Sequence, residues 1–155
     1  MELNLSIAPV FQKFWTSDKN FHILESGRTG GKTRVGSDYA MVCTCNLRER
    51  DVVVARNSYS DLADSLYSTM CKFIAKHKLG NIFITKQNPL RIENIQTHCN
   101  IYFAGIGGSD KDRTKGLDTE HPVEVIIFDE LQQVKEQENY EQAKASFMRL
   151  LTPTA

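Results

Sequence analysis

Apolar residues gather in short continuous runs separated by stretches of helical spacing, the pattern of buried strands alternating with helices. The run Phe21-His22-Ile23-Leu24 predicts a first strand at about 21–25. A second strand is predicted at Asp51-Val52-Val53-Val54-Ala55-Arg56, and a third at Val123-Glu124-Val125-Ile126-Ile127-Phe128, which runs into Asp129-Glu130. Between the first two, a helix is predicted from Lys32 to about Leu47, with Val35, Tyr39, Val42 and Cys43 at helical spacing. Another is predicted over about 59–77, where Leu62, Leu66, Met70 and Phe73 form one apolar stripe and Asn57 or Ser58 can cap its start. Residues 7–16, with Pro9 in the first turn, suit a short amphipathic helix, and 135–151 suit a polar one.

The middle of the chain changes character. Asn81–Thr85, Leu90–Asn94 and Cys99–Ala104 are short β-like runs, punctuated by Asn88-Pro89 and Gln96-Thr97-His98. The latter two runs predict an antiparallel hairpin feeding an edge of the sheet. Gly105–Asp110 reads as a flexible loop, and Lys111–Thr119 carries charges around Gly116. No repeat, low-complexity tract or linker divides residues 1–155, so one domain is predicted.

Candidate chemistry sharpens this picture. Ser26-Gly27-Arg28-Thr29-Gly30-Gly31-Lys32-Thr33 lies where the first strand should hand over to a helix. A triphosphate needs inward-pointing backbone N–H groups and a cation that reaches its β and γ phosphates. Gly27, Gly30 and Gly31 allow close backbone approach, Lys32 brings the charge, and the Thr33 hydroxyl is placed to hold Mg²⁺. Ser26 stands where the strict pattern has glycine, and a glycine-rich turn capping an ordinary helix is the plainer account of the loop alone. Asp129-Glu130 changes the balance. An acidic pair at the carboxyl end of a buried strand emerges where open α/β sheets bind ligands. Asp129 can hold Mg²⁺ through water and Glu130 can orient and deprotonate a water attacking the γ-phosphate. For an isolated pair, capping the next helix would be account enough. The two motifs together predict an α/β fold of the P-loop NTPase kind: a mostly parallel sheet sandwiched by helices.

Bulk properties add little. Nineteen basic and nineteen acidic residues give zero formal charge, so no global basic field marks a nucleic-acid partner. No apolar stretch approaches the roughly 20 residues of a membrane span, and Met1-Glu2-Leu3-Asn4 does not open a signal peptide, so no membrane partner is expected. Cys43, Cys45, Cys71 and Cys99 lack zinc-type pairing and read as buried free thiols in a reducing cytosol.

In order and spacing the chain resembles the N-terminal ATPase domain of a tailed-phage, prophage-type terminase large subunit. The likeness rests on a helix ahead of the first strand, the 26–33 loop with its early arginine, and Val52–Arg56 followed by Leu62-Ala63-Asp64-Ser65. It continues through Ile101-Tyr102-Phe103-Ala104-Gly105, Asp112-Arg113-Thr114-Lys115-Gly116 and Val125–Glu130. The resemblance implies the additional-strand, catalytic-glutamate type of sheet, with ATP as substrate and Mg²⁺ as cofactor. It implies that Lys32 contacts the β/γ phosphates, Thr33 and Asp129 organise the metal, and Glu130 activates water. Arg28 matches the family's loop arginine, with charge stabilisation, solvent exposure and ion pairing all open. Gln12 stands where an adenine-contacting group is found, or simply on an exposed helix face. Arg56 is open between phosphate sensing and a structural ion pair. Implied partners are double-stranded DNA, a terminase small subunit and a portal, in a homo-oligomeric ring within the host bacterial cytoplasm. Lys111, Arg113 and Lys115 are the best basic cluster, though a solvated loop explains them as well. Against the family's pattern, Thr152-Pro153-Thr154 is a poor match to its coupling motif. The sequence is expected to be a C-terminally truncated domain without the family's nuclease domain. A helicase or recombination-type ATPase, or a module that binds nucleotide without turnover, are the competing readings.

Overall fold

In the computed structural model, which describes residues 2–25, 31–107, 117–133 and 137–151, the valine run forms β1 (Asp51–Arg56) inside a five-stranded sheet. Val52, Val53, Val54 and Ala55 are wholly buried because apolar layers cover both faces of this strand. Side chains alternate across a strand. Val52 and Val54 therefore join one core cluster with Leu62, Leu66, Met70 and Phe73, while Val53 and Ala55 join a second with Tyr102, Ala104 and Ala143.

The other strands are β2 (Phe83–Gln87), β3 (Leu90–Asn94), β4 (Cys99–Gly105) and β5 (Val123–Phe128), in the order β2-β3-β4-β1-β5. Strand β1 lies parallel to both neighbours, with Val54 opposite Phe103 on β4 and opposite Ile127 on β5. The β2–β3 and β3–β4 pairs are antiparallel. This overturns the expectation of a mostly parallel P-loop NTPase sheet of the additional-strand, catalytic-glutamate type: the sheet is mixed. The reason is local. Asn88-Pro89 and Ile95–His98 are connections too short for the crossover that parallel neighbours require, so they reverse the chain in place.

The expected strand at 21–25 does not form either. Those residues are irregular, and Phe21 and Ile23 are 71% and 73% exposed. Strand geometry needs a hydrogen-bonded neighbour, which an apolar run cannot supply for itself. Among the described residues the sheet ends at β5.

Among the described residues, five α-helical segments accompany the sheet: α1 (Gln12–Trp15), α2 (Lys32–Asn46), α3 (Tyr59–Leu62), α4 (Ser68–Lys76) and α5 (Gln137–Leu151). A π-helical turn at Ala63–Tyr67 joins α3 to α4 without breaking the buried stripe. Helix α2 turns Val35, Ala40 and Met41 inward, and Gly36 faces β5, where a Cβ would make ordinary contact 3.7 Å from Ile127 Cγ2. Its buried face, Val35, Ser37, Ala40, Met41 and Thr44, is thus rotated from the expected Val35–Tyr39–Val42–Cys43 stripe, of which Tyr39, Val42 and Cys43 are half-buried. Tyr39 instead packs against Phe14 and Trp15 of α1, with ring centroids 4.7 and 5.5 Å away. All four cysteines are free thiols, and burial pushes the Cys43 thiol up to about 11. No helix among the described residues is long and apolar enough to cross a membrane.

Candidate functional site

Because β1 and β5 run parallel, their carboxyl ends finish side by side. The Asp129 backbone N–H donates to the Ala55 carbonyl at 2.9 Å, carrying the pairing one residue beyond β5 and fixing the start of the acidic pair. Helix α2 opens against this edge. Gly31 takes a left-handed φ of 79°, which costs glycine nothing, and its carbonyl accepts the first helical hydrogen bond from Val35 at 2.9 Å. Thr33 then falls in the first turn, with its hydroxyl 3.4 Å from both Asp129 carboxylate oxygens. Two residues 96 positions apart in sequence meet here, and both carry the hard oxygen donors that Mg²⁺ selects.

The electrostatics are those of a confined carboxylate. Asp129 is only 9% exposed at its side chain, and Arg56 Nε stands 3.8 Å from its Oδ2. Burial raises the Asp129 carboxyl above the ordinary aspartate range and Glu130 adds to this, while Arg56, the Thr33 hydroxyl and Lys32 pull it down. Half-buried Lys32 is thus electrostatically part of the same cluster. A carboxyl with a raised folded-state pKa titrates in the unfolded chain first as pH rises. Ionised Asp129 therefore costs stability that is retained below its unfolded-state value and lost as pH climbs through its folded-state value. Asp129→Asn is expected to raise the melting temperature at pH 7 by about 2–4 °C, corresponding to about 1 kcal/mol for a chain of this size. The gain should vanish at pH 3, where the wild-type carboxyl is already protonated; differential scanning calorimetry at both pH values checks this.

Glu130 follows at a φ of 53°, the left-handed region that a side chain seldom occupies. Its carboxylate accepts a hydrogen bond from Gln132 Nε2, and its carbonyl accepts from Gln133 N at 2.9 Å to start a short 3₁₀ turn, Leu131–Gln133. A side chain in this region carries local strain that the surrounding structure must sustain.

Of the residues singled out from the sequence, Lys32, Thr33, Asp129 and Arg56 are brought together, with Glu130 adjoining. Ser26, Gly27, Arg28, Thr29 and Gly30 lie outside the described residues, as do Lys111, Arg113 and Lys115. Gln12 is exposed on α1 and shares no hydrogen bond or ion pair with the cluster; its carbonyl accepts from Thr16. The donors present fit Mg²⁺, which keeps several waters and takes one or two carboxylates plus substrate phosphates. No group of three or more His, Cys, Asp or Glu suited to a tighter metal cage occurs among the described residues.

One neighbouring contact was not legible beforehand. Gly107 N donates to the Asn57 carbonyl at 2.8 Å, and a Cβ at Gly107 would overlap the Asn57 side chain. This close approach ties the end of β1 to the segment leaving β4. The glycine in Gly105-Ile106-Gly107 was the available signal.

Helix start, acidic strand end and strand-end arginine thus bring hard oxygen donors and a cation together at one edge of the sheet. Comparison with known proteins then fixes the family. Residues 18–153 match the family model described as "Phage terminase large subunit", and the chain belongs to that family. Its fold is similar to that of a large terminase from a thermophilic bacteriophage, with a TM-score of 0.66 and 18% identity over 89% of this chain. The chain spans about a third of that protein's length, the match covering 34% of it. No curated protein matches.

Proposed function

We propose that this chain carries the ATP-hydrolysing site of a phage terminase large subunit and that the released energy serves the packaging of double-stranded DNA. The observation that carries the proposal is the meeting of Thr33 with Asp129 at the mouth of α2, beside Lys32 and Arg56. In this reading the 26–33 loop and the start of α2 hold the phosphate chain, with Lys32 against the β and γ phosphates and Arg28 offering further positive charge. Bound between Thr33 and Asp129, Mg²⁺ would neutralise charge on the phosphate oxygens. Lys32 and the start of α2 orient the reacting phosphate, Thr33 and Asp129 would hold the metal, and Glu130 accepts a proton from the water that attacks in line. Membership of the family supports the wider setting: DNA, the small subunit and a portal as partners, in the host bacterial cytoplasm.

The test is phosphate release and equilibrium ATP binding by the purified chain, with Mg²⁺, beside Lys32→Ala. Charge-assisted hydrogen bonds contribute about 1.5–3 kcal/mol, so Lys32→Ala should weaken ATP binding by about 10- to 100-fold. Stimulation of turnover by double-stranded DNA would add support for the packaging role. ATP binding that ignores the loss of Lys32 would remove the phosphate-loop assignment.

A further inference from the structure

We propose that Arg56 is a ligand for the outermost phosphate of the bound nucleotide, so that it distinguishes triphosphate from diphosphate. The inference rests on the nucleotide-site reading above and adds to it a residue and a specificity.

Two arginines in this molecule show the contrast. Arg91 is a satisfied structural arginine. Its Nη2 reaches Glu120 Oε1 at 2.8 Å, Nη2 and Nε both donate to Asn100 Oδ1 at 2.8 and 3.2 Å, and its guanidinium lies 5.0 Å over the Tyr102 ring. Arg56 is only 16% exposed at its side chain, yet its Nε is buried and has no hydrogen-bond partner among the described residues. Its acidic neighbour Asp129 stands at 3.8 Å, beyond hydrogen-bonding distance. A guanidinium kept merely to neutralise Asp129 would close on it as Arg91 closes on Glu120. Buried N–H donors are nearly always partnered, and one that is not calls for a partner from outside the chain, such as a water, an ion or a ligand.

Position and chemistry name the partner. Arg56 stands at the carboxyl end of β1, beside β5, and the cluster's carboxylate is touched from α2 by Thr33 and from β1 by Arg56. A phosphate chain seated at the start of α2 and extending past Thr33 toward the sheet meets Arg56 with its far end. The planar fork of an arginine matches two oxygens of a terminal phosphate, and its charge does not titrate near neutral pH. The β1 backbone holds it there: the Arg56 carbonyl accepts from Ile106 N at 2.9 Å, and the next carbonyl, of Asn57, accepts from Gly107.

The experiment measures binding of Mg²⁺ with β,γ-imido-ATP, and of Mg²⁺ with ADP, to the wild-type chain, Arg56→Gln and Arg56→Lys, with thermal melts alongside. Arg56→Gln is expected to lose about 10- to 100-fold in affinity for the triphosphate analogue while ADP affinity stays within about twofold. Arg56→Lys, which keeps the charge and loses the fork, is expected to lose less, again with ADP unchanged. If Arg56→Gln fails to fold, the Arg56→Lys selectivity decides alone. An equal loss for both nucleotides would make Arg56 a prop for Asp129, and no loss for either would make it irrelevant to phosphate; each overturns the proposal. If the wild-type chain binds neither nucleotide, the nucleotide-site reading itself fails and this inference goes with it.

Discussion

Glu130→Gln is expected to lower MgATP turnover by about 10²- to 10⁴-fold, the usual contribution of a general base, while nucleotide binding persists. In the proposed site the residue after Asp129 suits that role, because Asp129 is already committed. Its oxygens face the Thr33 hydroxyl and the Arg56 guanidinium, and its backbone N–H is spent on Ala55. Glu130 turns away after the strand at a φ of 53°, and among the described residues its carboxylate has one hydrogen-bond partner, the flexible Gln132 side chain. Glutamine has the same shape and still offers an oxygen to Gln132, so the variant removes basicity and little else. It also bears the same cost of a positive φ, which keeps folding stability out of the comparison. Steady-state phosphate release and equilibrium binding separate the outcomes. Slow turnover with intact binding marks Glu130 as the base. Equal loss of both assigns it to nucleotide binding, and unchanged turnover takes it out of the mechanism.

Local pattern carried much of this molecule. The unbroken valine run at 52–54 could only be a strand covered on both faces, and β1 occupies Asp51–Arg56 as predicted. The stripe Leu62, Leu66, Met70 and Phe73 needed only helical spacing to be read as core, and all four are buried. The β3–β4 hairpin was marked by its turn residues. The candidate site was legible for a different reason: Lys32-Thr33 and Asp129-Glu130 each carry chemistry that a helix start or a strand end makes usable. What failed depended on partners. Phe21–Leu24 is as apolar as a strand should be, but no local signal says which strand would pair with it. The mixed sheet follows from β2 and β3 returning through tight connections. That outcome depends on chain reversal and not on the hydrophobicity of any run. Arg56 was visible as a strand-end arginine, but that its buried Nε has no hydrogen-bond partner among the described residues is a property of packing, which no sequence pattern carries.

The opposite end of the sheet holds the second large effect: Asp51→Ala is expected to cost about 3–5 kcal/mol. Asp51 is wholly buried and its carboxylate is encircled by donors. Oδ1 accepts from Asn100 N at 2.9 Å and Asn100 Nδ2 at 3.0 Å, with His121 Nδ1 at 3.4 Å, and Oδ2 accepts from His121 N at 2.8 Å. These bonds fasten the start of β1 to the start of β4 and to the residues entering β5, so one side chain links three parallel strands. Alanine would leave those donors buried without an acceptor, each costing about 1–3 kcal/mol, partly relieved if water enters. Against a total stability of about 5–15 kcal/mol, such a loss leaves the fold marginal. Asp51→Asn should cost less, because its amide oxygen still serves one set of donors while its NH₂ confronts the other. Urea denaturation midpoints for the two variants give the order directly. A cost for Asp51→Ala below about 1 kcal/mol would mean that water replaces the carboxylate at no loss. Strand register would then be set by the apolar pairs Val52–Ile101 and Val54–Ile127 alone. The site at the carboxyl ends feels this only through the sheet. At a temperature where Asp51→Ala remains folded, its nucleotide affinity should equal that of the wild-type chain, which separates loss of the scaffold from loss of the site.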